Sequence, residues 1–464
     1  MNNTASDQQE SPELNSEPVR LLTAAEALVL AEHDPEVLAG QLAAMHSGEL
    51  AQLLLACEDQ DKRQRLFQFV PDEKRGEALL ELPENVQEVL LSTLVPSEIK
   101  AVVEPLNSDD VADILQVVDN AVAEQVIAHL EPDDRRELEP LLAHDEETAG
   151  GLMQVELFKV REGWPVSKVL DVLRRWGREI ENLNYVYVVN DNDQFIGAVP
   201  LYELLFCEPE TSVVEVADKA FPSAKAGQDQ EEVARIFDKY DVFALPVVDE
   251  AGVLVGRITV DDVLDVMQEE ATEDMYRLAA LSGEDDLAES VRVTAWRRGI
   301  WLAVNLGTAI LASFVIAQFE ATLAQIVALA ILMPIVASMG GIAGTQTLTV
   351  IVRGIALGRV TFDTARRALI KEVTVSAVTG LGFALVMGVT ASLWFPDIGA
   401  KLGLVIAAAM LINLLAAGAA GALIPLTLQR LSIDPALASG TILTTVTDVV
   451  GFFAFLGLAT VVLL

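Results

Sequence analysis

The sequence predicts a multi-domain membrane protein: a helical, α-solenoid N-terminal domain, a tandem pair of α/β units, an acidic connecting helix, and a five-helix transmembrane domain. Three observations carry this reading. Of 69 acidic and 31 basic residues, only six acids but ten bases lie from residue 291 onward, so the first part carries −42 of a total of −38. Five apolar runs follow that boundary, each long enough to cross ~30 Å of hydrocarbon. Between residues 70 and 142 a leucine or valine recurs every 12 positions.

Residues 1–20 are polar and acidic, without the basic-then-apolar order of a signal peptide, and read as a disordered tail. The helical domain spans 21–148. Its period runs through Val70, Leu82, Leu94, Leu106, Val118, Leu130 and Leu142, and helix-start signals such as Pro71-Asp72, Pro83-Glu84 and Pro132-Asp133 follow. Two such units make a helix pair of 24 residues that must stack on its neighbours to bury an apolar face. Asp109 and Asp113, four apart, fall on one face of a helix that Ser108 is placed to cap.

The α/β units cover 149–207 and 208–267. Strands are expected at Tyr185–Val189 and Phe195–Val199, and again at Phe243–Val248 and Val253–Ile258, with a helix after each pair. Residues 268–298 form the connecting helix. The acidic segment DDVLDVMQEEATEDM, which holds Asp262 and Asp265, places Glu270, Glu273 and Asp274 on one helix face. Like charges so arranged repel, and a divalent ion relieves the repulsion.

The membrane domain occupies 299–464, with spans at Ile300–Phe319, Leu323–Val352, Val373–Phe395, Leu402–Leu428 and Pro435–Leu464. Arg292, Arg297 and Arg298, the five bases from Arg353 to Lys371, and Arg430 all fall on one side. The positive-inside rule then puts the N-terminus in the cytoplasm and the C-terminus outside the bacterial inner (plasma) membrane. The long second run carries Pro334, Gly340, Gly341 and Gly344. It reads as a broken helix beside a pathway that Gly340, Gly341, Thr345, Gln346 and Thr349 line.

Asp448 is the only charged residue between Pro435 and Leu464 and lies about 20 Å into that run. A carboxylate at such depth is costly unless it faces water or a cation. Mg²⁺ is held by one or two carboxylates with several waters retained. A two-fold homodimer supplies the second carboxylate. The expected ion path therefore runs between two Asp448 side chains, with Thr444, Thr445 and Asn413 touching the ion's waters; an interhelical hydrogen bond is the other reading of Asn413.

The acidic front half argues against nucleic acid as a partner. No Ser/His/Asp set or phosphate-cradling loop is present, and His33, His46, His129 and His144 lack metal-ligand spacing, so no enzyme is expected. Cys57 and Cys207 show no CxxC spacing.

The paired α/β units resemble tandem CBS domains, and in the second copy Thr259 and Asp262 fit the GxxTxxD pattern that contacts a nucleotide in such modules. The first copy, ending GAVPLYEL, lacks both residues. The chain as a whole resembles the MgtE family of magnesium channels and transporters. AGGLM before the pair, PVVDEAGVLVGRITVDDVLDV, EEATEDM and DPALASGTILTTVTDVVGFF carry the resemblance. It implies a homodimeric Mg²⁺-selective pore in the lipid bilayer, lined by the second and fifth spans. It also implies a cytoplasmic plug helix after the CBS pair, and closure by Mg²⁺ bound there. Asp448 then matches the pore aspartate. Glu270, Glu273 and Asp274 match cytosolic Mg²⁺ ligands, Asp262 (with Asp265 beside it) matches acids of the CBS–plug junction, and Asp109 and Asp113 match N-domain acids. Ile342 stands where the family often has Asn, and Thr441 where SGP is frequent. ATP at the CBS pair is the second expected ligand. The alternatives are a CBS-gated transporter of Co²⁺ or Mn²⁺ and a membrane-bound nucleotide sensor resting on Thr259 and Asp262.

Overall fold

The computed structural model describes residues 22–57, 59–178, 180–279, 281, 291–431, 433–437 and 439–464. The tail expected over 1–20 lies outside them, as does most of the link between the connecting helix and the first span.

The 12-residue period is visible as helix starts. After Ala24–His33, helices begin at Pro35, Ser47, Gln60, Asp72, Glu84, Pro96, Ser108, Asn120 and Pro132. Pro opens three of them, where its missing N–H costs nothing and its fixed φ suits the first turn. Val70, Leu82 and Leu130 of the period are buried just beyond helix ends. Alternate helices pack together: Ser47–Leu55 on Asp72–Leu80, that on Pro96–Val103, and that on Asn120–His129. This is the stacked pairing of a solenoid, in which an eight-residue helix is stable only through its neighbours.

Ser108 does not cap its helix, contrary to the sequence reading. Asn107 is the N-cap and makes no side-chain cap bond. Ser108 is the first helical residue, and its N–H and Oγ donate to the Glu156 carboxylate at 3.2 and 2.7 Å. A carboxylate 48 positions later in the chain thus satisfies the helix start, where negative charge is favoured.

In the first α/β unit, β1 (Lys159–Arg161) pairs parallel with β2 (Tyr185–Val189), which pairs antiparallel with β3 (Phe195–Pro200). In the second, β4 (Ala224–Lys225), β5 (Ala244–Val248) and β6 (Leu254–Thr259) repeat the order. The copies meet through bridges at Gln194–Val253 and Gln154–Arg257. A helix follows β6 directly, but after β3 there are only a 3-10 turn, Glu203–Leu205, and four helical residues, Val213–Val216. The difference lies in capping: Thr259 and Asp262 form a reciprocal capping box at the start of Val260–Leu278, and the first copy has neither residue.

The chain divides into two compact units. The first runs to residue 227 and takes in 246–258; the second comprises 228–245 and 259–464. The second unit holds the helix Gln230–Tyr240, the connecting helix and the membrane domain.

Among the described residues five helices are long and apolar enough to cross a membrane: Val291–Ala317, Val327–Ala356, Phe362–Trp394, Ala400–Arg430 and Ser439–Leu463. The first and third start well before their apolar runs, because Arg and Lys end a hydrophobic stretch without ending a helix. A separate short helix, Glu320–Gln325, moves the start of the second span to Val327. The fifth starts at Ser439 rather than Pro435, after a turn in which Asp434 accepts from the Ala436 N–H at 2.8 Å.

The second span is one continuous helix of 30 residues, so the expected break is absent. Two of its glycines serve close packing instead: a Cβ on Gly340 would meet the Asn413 amide, and one on Gly344 would meet Leu443. Gly418 and Gly421 of the fourth span act likewise, against Ser376 and the Gly344 carbonyl. The fourth span is the centre of the bundle. Of its most apolar window 56% is buried, against 6% for the first span. The core joins Leu332 and Val336, Ile406 and Ala409, and Phe455 and Leu456 from the second, fourth and fifth spans.

Candidate functional site

Asp448 sits nine residues after Ser439, ~14 Å into the fifth span and shallower than the apolar run implied. Its carboxylate is half-buried, and no hydrogen bond or ion pair reaches it among the described residues. Thr444 and Thr445 stand one turn before it on the same stripe. Both hydroxyls donate back to the Thr441 carbonyl, at 3.1 and 2.7 Å, which leaves their oxygens able to accept.

The second span turns its residues two ways. Gly340, expected to line the pathway, instead faces the core with Gly344 and Thr347, because the Asn413 amide packs against it, whereas Thr345, Gln346 and Thr349 are exposed on the chain's outer face beside the open position at Gly341. Asn413 is fully buried, and its Nδ2 donates to the Val336 carbonyl at 2.9 Å. Gly340 and Gly451 close around this amide. The interhelical bond is thus the role the structure gives it, in place of the pore-lining one, and its Oδ1 has no partner among the described residues.

The regulatory acids expected from the sequence fall into both compact units. In the first, Asp109 and Asp113 share a helix but not an environment. Asp113 is exposed, whereas Asp109 is 6% exposed. Asp109 Oδ1 accepts from the Asp110 N–H at 3.0 Å and Oδ2 from Gln154 Nε2 at 3.1 Å. Gln154 Oε1 in turn accepts from buried Arg257 at 2.7 Å. This is a chain of satisfied buried polar groups, so the two acids do not present a pair of open carboxylates.

In the second unit the connecting helix, Val260–Leu278, gathers the rest. Glu270 accepts from Gln230 Nε2 at 2.7 Å. Arg277 bridges Glu273 and Asp434. The end of the helix is seated on the membrane domain, where Leu278 packs with Leu348, Val352, Ala436 and Leu443. Burial pushes the Asp274 carboxyl up, and Asp434 and Glu270 push the same way against Arg353 and Arg277. Burial likewise raises Glu231, with Arg235 opposing. Carboxyls that raise one another have the chemistry a divalent cation neutralises, although no three Asp, Glu, His or Cys groups among the described residues already converge on one point. Asp434 is the acid that sequence reasoning missed. It lies in the loop between the fourth and fifth spans, and only folding places it by Asp274.

Three family models match in order. The MgtE intracellular N domain matches residues 45–147, the CBS domain 149–210 and 213–269, and MgtE, a divalent cation transporter, 333–458. The magnesium transporter MgtE of Bacillus subtilis (strain 168) is 31% identical over 398 residues, covering 86% of this chain and 88% of that protein. The chain belongs to the MgtE family. The family's member from Thermus thermophilus, also a magnesium transporter, is 37% identical over 366 residues, with 76% of this chain and 79% of that one covered. A solved cytosolic domain of the Mg²⁺ channel MgtE in complex with ATP is 38% identical and covers 51% of this chain and 97% of its own, with a TM-score of 0.49. A multi-pass MgtE membrane protein with a helical N-domain and a CBS pair is therefore the architecture of this chain.

Asp262 allows a pH test at the junction between the CBS pair and the connecting helix. Its Oδ2 accepts from the Thr259 hydroxyl at 2.6 Å and from the Thr259 N–H at 3.3 Å. Burial nonetheless raises its pKa from 3.8 to about 6, more than the Thr259 bonds lower it. A carboxyl raised on folding favours the folded state below the unfolded value and loses that advantage as pH rises through the folded one. In metal-free buffer Asp262→Asn, which keeps the accepting oxygen, is expected to be more stable than the native chain at pH 7.5, by about 3 kcal/mol, and equal to it at about pH 3, below the unfolded value. Thermal melts at the two pH values check this, and equal melts at pH 7.5 would refute it.

Proposed function

We propose that this chain moves hydrated Mg²⁺ across the bacterial inner membrane as a homodimer, and that cytosolic Mg²⁺ closes it. The observation that carries the reading is Asp448: a single carboxylate on the fifth span of an MgtE protein, without a partner among the described residues and with two threonines on its own stripe. Pairing of two chains about a two-fold axis supplies the second carboxylate that a water-clad Mg²⁺ takes. The second and fifth spans line the path, with Thr345, Gln346 and Thr349 of the second facing it. The basic loops orient the N-terminus to the cytoplasm and the C-terminus outward.

For closure, the proposed ligands are Asp113 of the N-domain, joined by Asp109 only if it gives up its bonds to the Asp110 N–H and Gln154, Asp262 and Asp265 at the CBS–plug junction, and Glu270, Glu273 and Asp274 of the connecting helix, which acts as the plug. Asp434 joins them. Ions at these acids favour the closed arrangement only by as much as they bind it better. ATP is proposed as a second ligand of the CBS pair, through Thr259 and Asp262. Binding there needs those two residues to exchange their mutual capping bonds for the nucleotide.

Growth of Mg²⁺-starved cells that lack their own uptake systems tests the transport reading. The native chain is expected to restore growth; rescue by Co²⁺ or Mn²⁺ supplementation pathways alone, with no Mg²⁺ flux in vesicles, would replace Mg²⁺ with another divalent cargo. Closure is tested separately by limited proteolysis of the purified protein, where millimolar Mg²⁺ is expected to protect the connecting region and equal cleavage would count against the gate.

A further inference from the structure

One side chain joins the helix that lies against the connecting helix to the second span, and the transport reading leaves it unused. Helix Gln230–Tyr240 of the second CBS unit lies against the connecting helix, tied by the bond from Gln230 to Glu270. One turn along it, Arg235 Nη2 meets Glu231 Oε1 at 2.8 Å. Its Nε donates to the carbonyl of Ala356 at 3.0 Å, across 121 positions of sequence.

Ala356 is the last residue of the second span. Its carbonyl is among the four that a helix leaves without an internal partner, at the negative end of the helix dipole. A guanidinium suits this place because its donors diverge in a rigid fork, so one group holds a carboxylate and a carbonyl together. The carboxylate it holds is not isolated: Glu270 and Asp274 act on Glu231 in the same direction as its burial. An i,i+4 surface pair with no further contact would carry little weight. The bond to Ala356 makes this pair a link between two elements.

We propose that Arg235 is a positioning residue of the gate, tying the end of the second span to helix Gln230–Tyr240, whose Gln230 holds Glu270 of the connecting helix, so that a cation bound at those acids is felt by a helix of the pore. This rests on the reading of the chain as a transporter closed by cytosolic Mg²⁺. Replacing the guanidinium by a neutral amide removes the bond that favours the docked arrangement, so closure needs more Mg²⁺.

The test uses the full chain in liposomes, with Mg²⁺ flux followed by a fluorescent indicator as the Mg²⁺ concentration on the cytosolic face is raised. For Arg235→Gln the half-closing concentration is expected to rise about fivefold or more, with a smaller rise for Arg235→Lys, while flux without cytosolic Mg²⁺ stays within about twofold of native. If both variants close at the native concentration, or lose Mg²⁺-free flux with the half-closing point unmoved, the role is overturned. Where Arg235→Gln fails gel filtration, Arg235→Lys decides alone. A native chain whose flux ignores cytosolic Mg²⁺ overturns the gate and this role with it; a native chain that closes beside unchanged variants overturns the role only.

Discussion

Asp448→Asn is expected to lower Mg²⁺ flux at least ~100-fold, the equivalent of about 3 kcal/mol in the stabilisation of the ion at its deepest point. The amide keeps the shape of the side chain and its accepting oxygen but not the charge. With no partner on its own chain among the described residues, the carboxylate has no structural bond to lose. The variant should therefore assemble and melt like the native protein. Indicator-loaded proteoliposomes give the flux, and gel filtration gives the assembly. Asp448→Glu, which restores the charge one methylene further out, is expected to recover part of the rate. An Asn variant that carries at least half the native flux would remove Asp448 from the path.

Gly403→Val is expected to prevent assembly of the membrane domain. A Cβ at Gly403 would stand 2.0 Å from Ser392 Oγ and 2.3 Å from the Gly388 carbonyl oxygen. The hydroxyl can rotate away, but the carbonyl belongs to the backbone of the third span, so two helices must separate. Overpacking of this kind costs about 3 kcal/mol or more, and here it falls where the third and fourth spans cross. Gly382, also on the third span, has nothing within 4 Å of a built Cβ. Gly382→Ala should be neutral or slightly stabilising, since alanine is the better helix former by about 1 kcal/mol. Thermal melts in detergent compare the two, and a monodisperse Gly403→Val protein with native melting would show that the spans pack less tightly than described.

Local signals read well where one residue type dictates one conformation. Proline or a capping residue every 12 positions marked the helix starts of the solenoid almost one for one. Alternating β-branched runs placed β2, β3, β5 and β6 within one or two residues. β1 and β4 were missed because strands of three and two residues carry no periodicity of their own. The glycine and proline of the second span were read as a break, since sequence alone does not distinguish a glycine that frees the backbone from one that admits a neighbour. Burial against Asn413 and Leu443 decides for the latter.

The candidate site divides along the same line. Asp448, Thr444 and Thr445 are legible because their spacing on one helix fixes one stripe. Glu156 beneath Ser108, Asp434 beside Asp274 and Arg235 on Ala356 are pairings of residues far apart in the chain, and no local pattern announces them. Asp109 shows the converse: helical spacing placed it with Asp113, and tertiary packing then sealed one and left the other in solvent.

The unequal burial of the spans bears on how the domain is put together as it leaves the ribosome. The first helix is held by its sisters sparsely, mainly by the fifth, so it can wait in the bilayer until that partner arrives. The fourth carries an amide whose proton donor finds its acceptor only on the second, and its small residues are of use only with neighbours already present. Integration is thus ordered by chemistry, with a late-arriving centre closing around helices that were inserted before it.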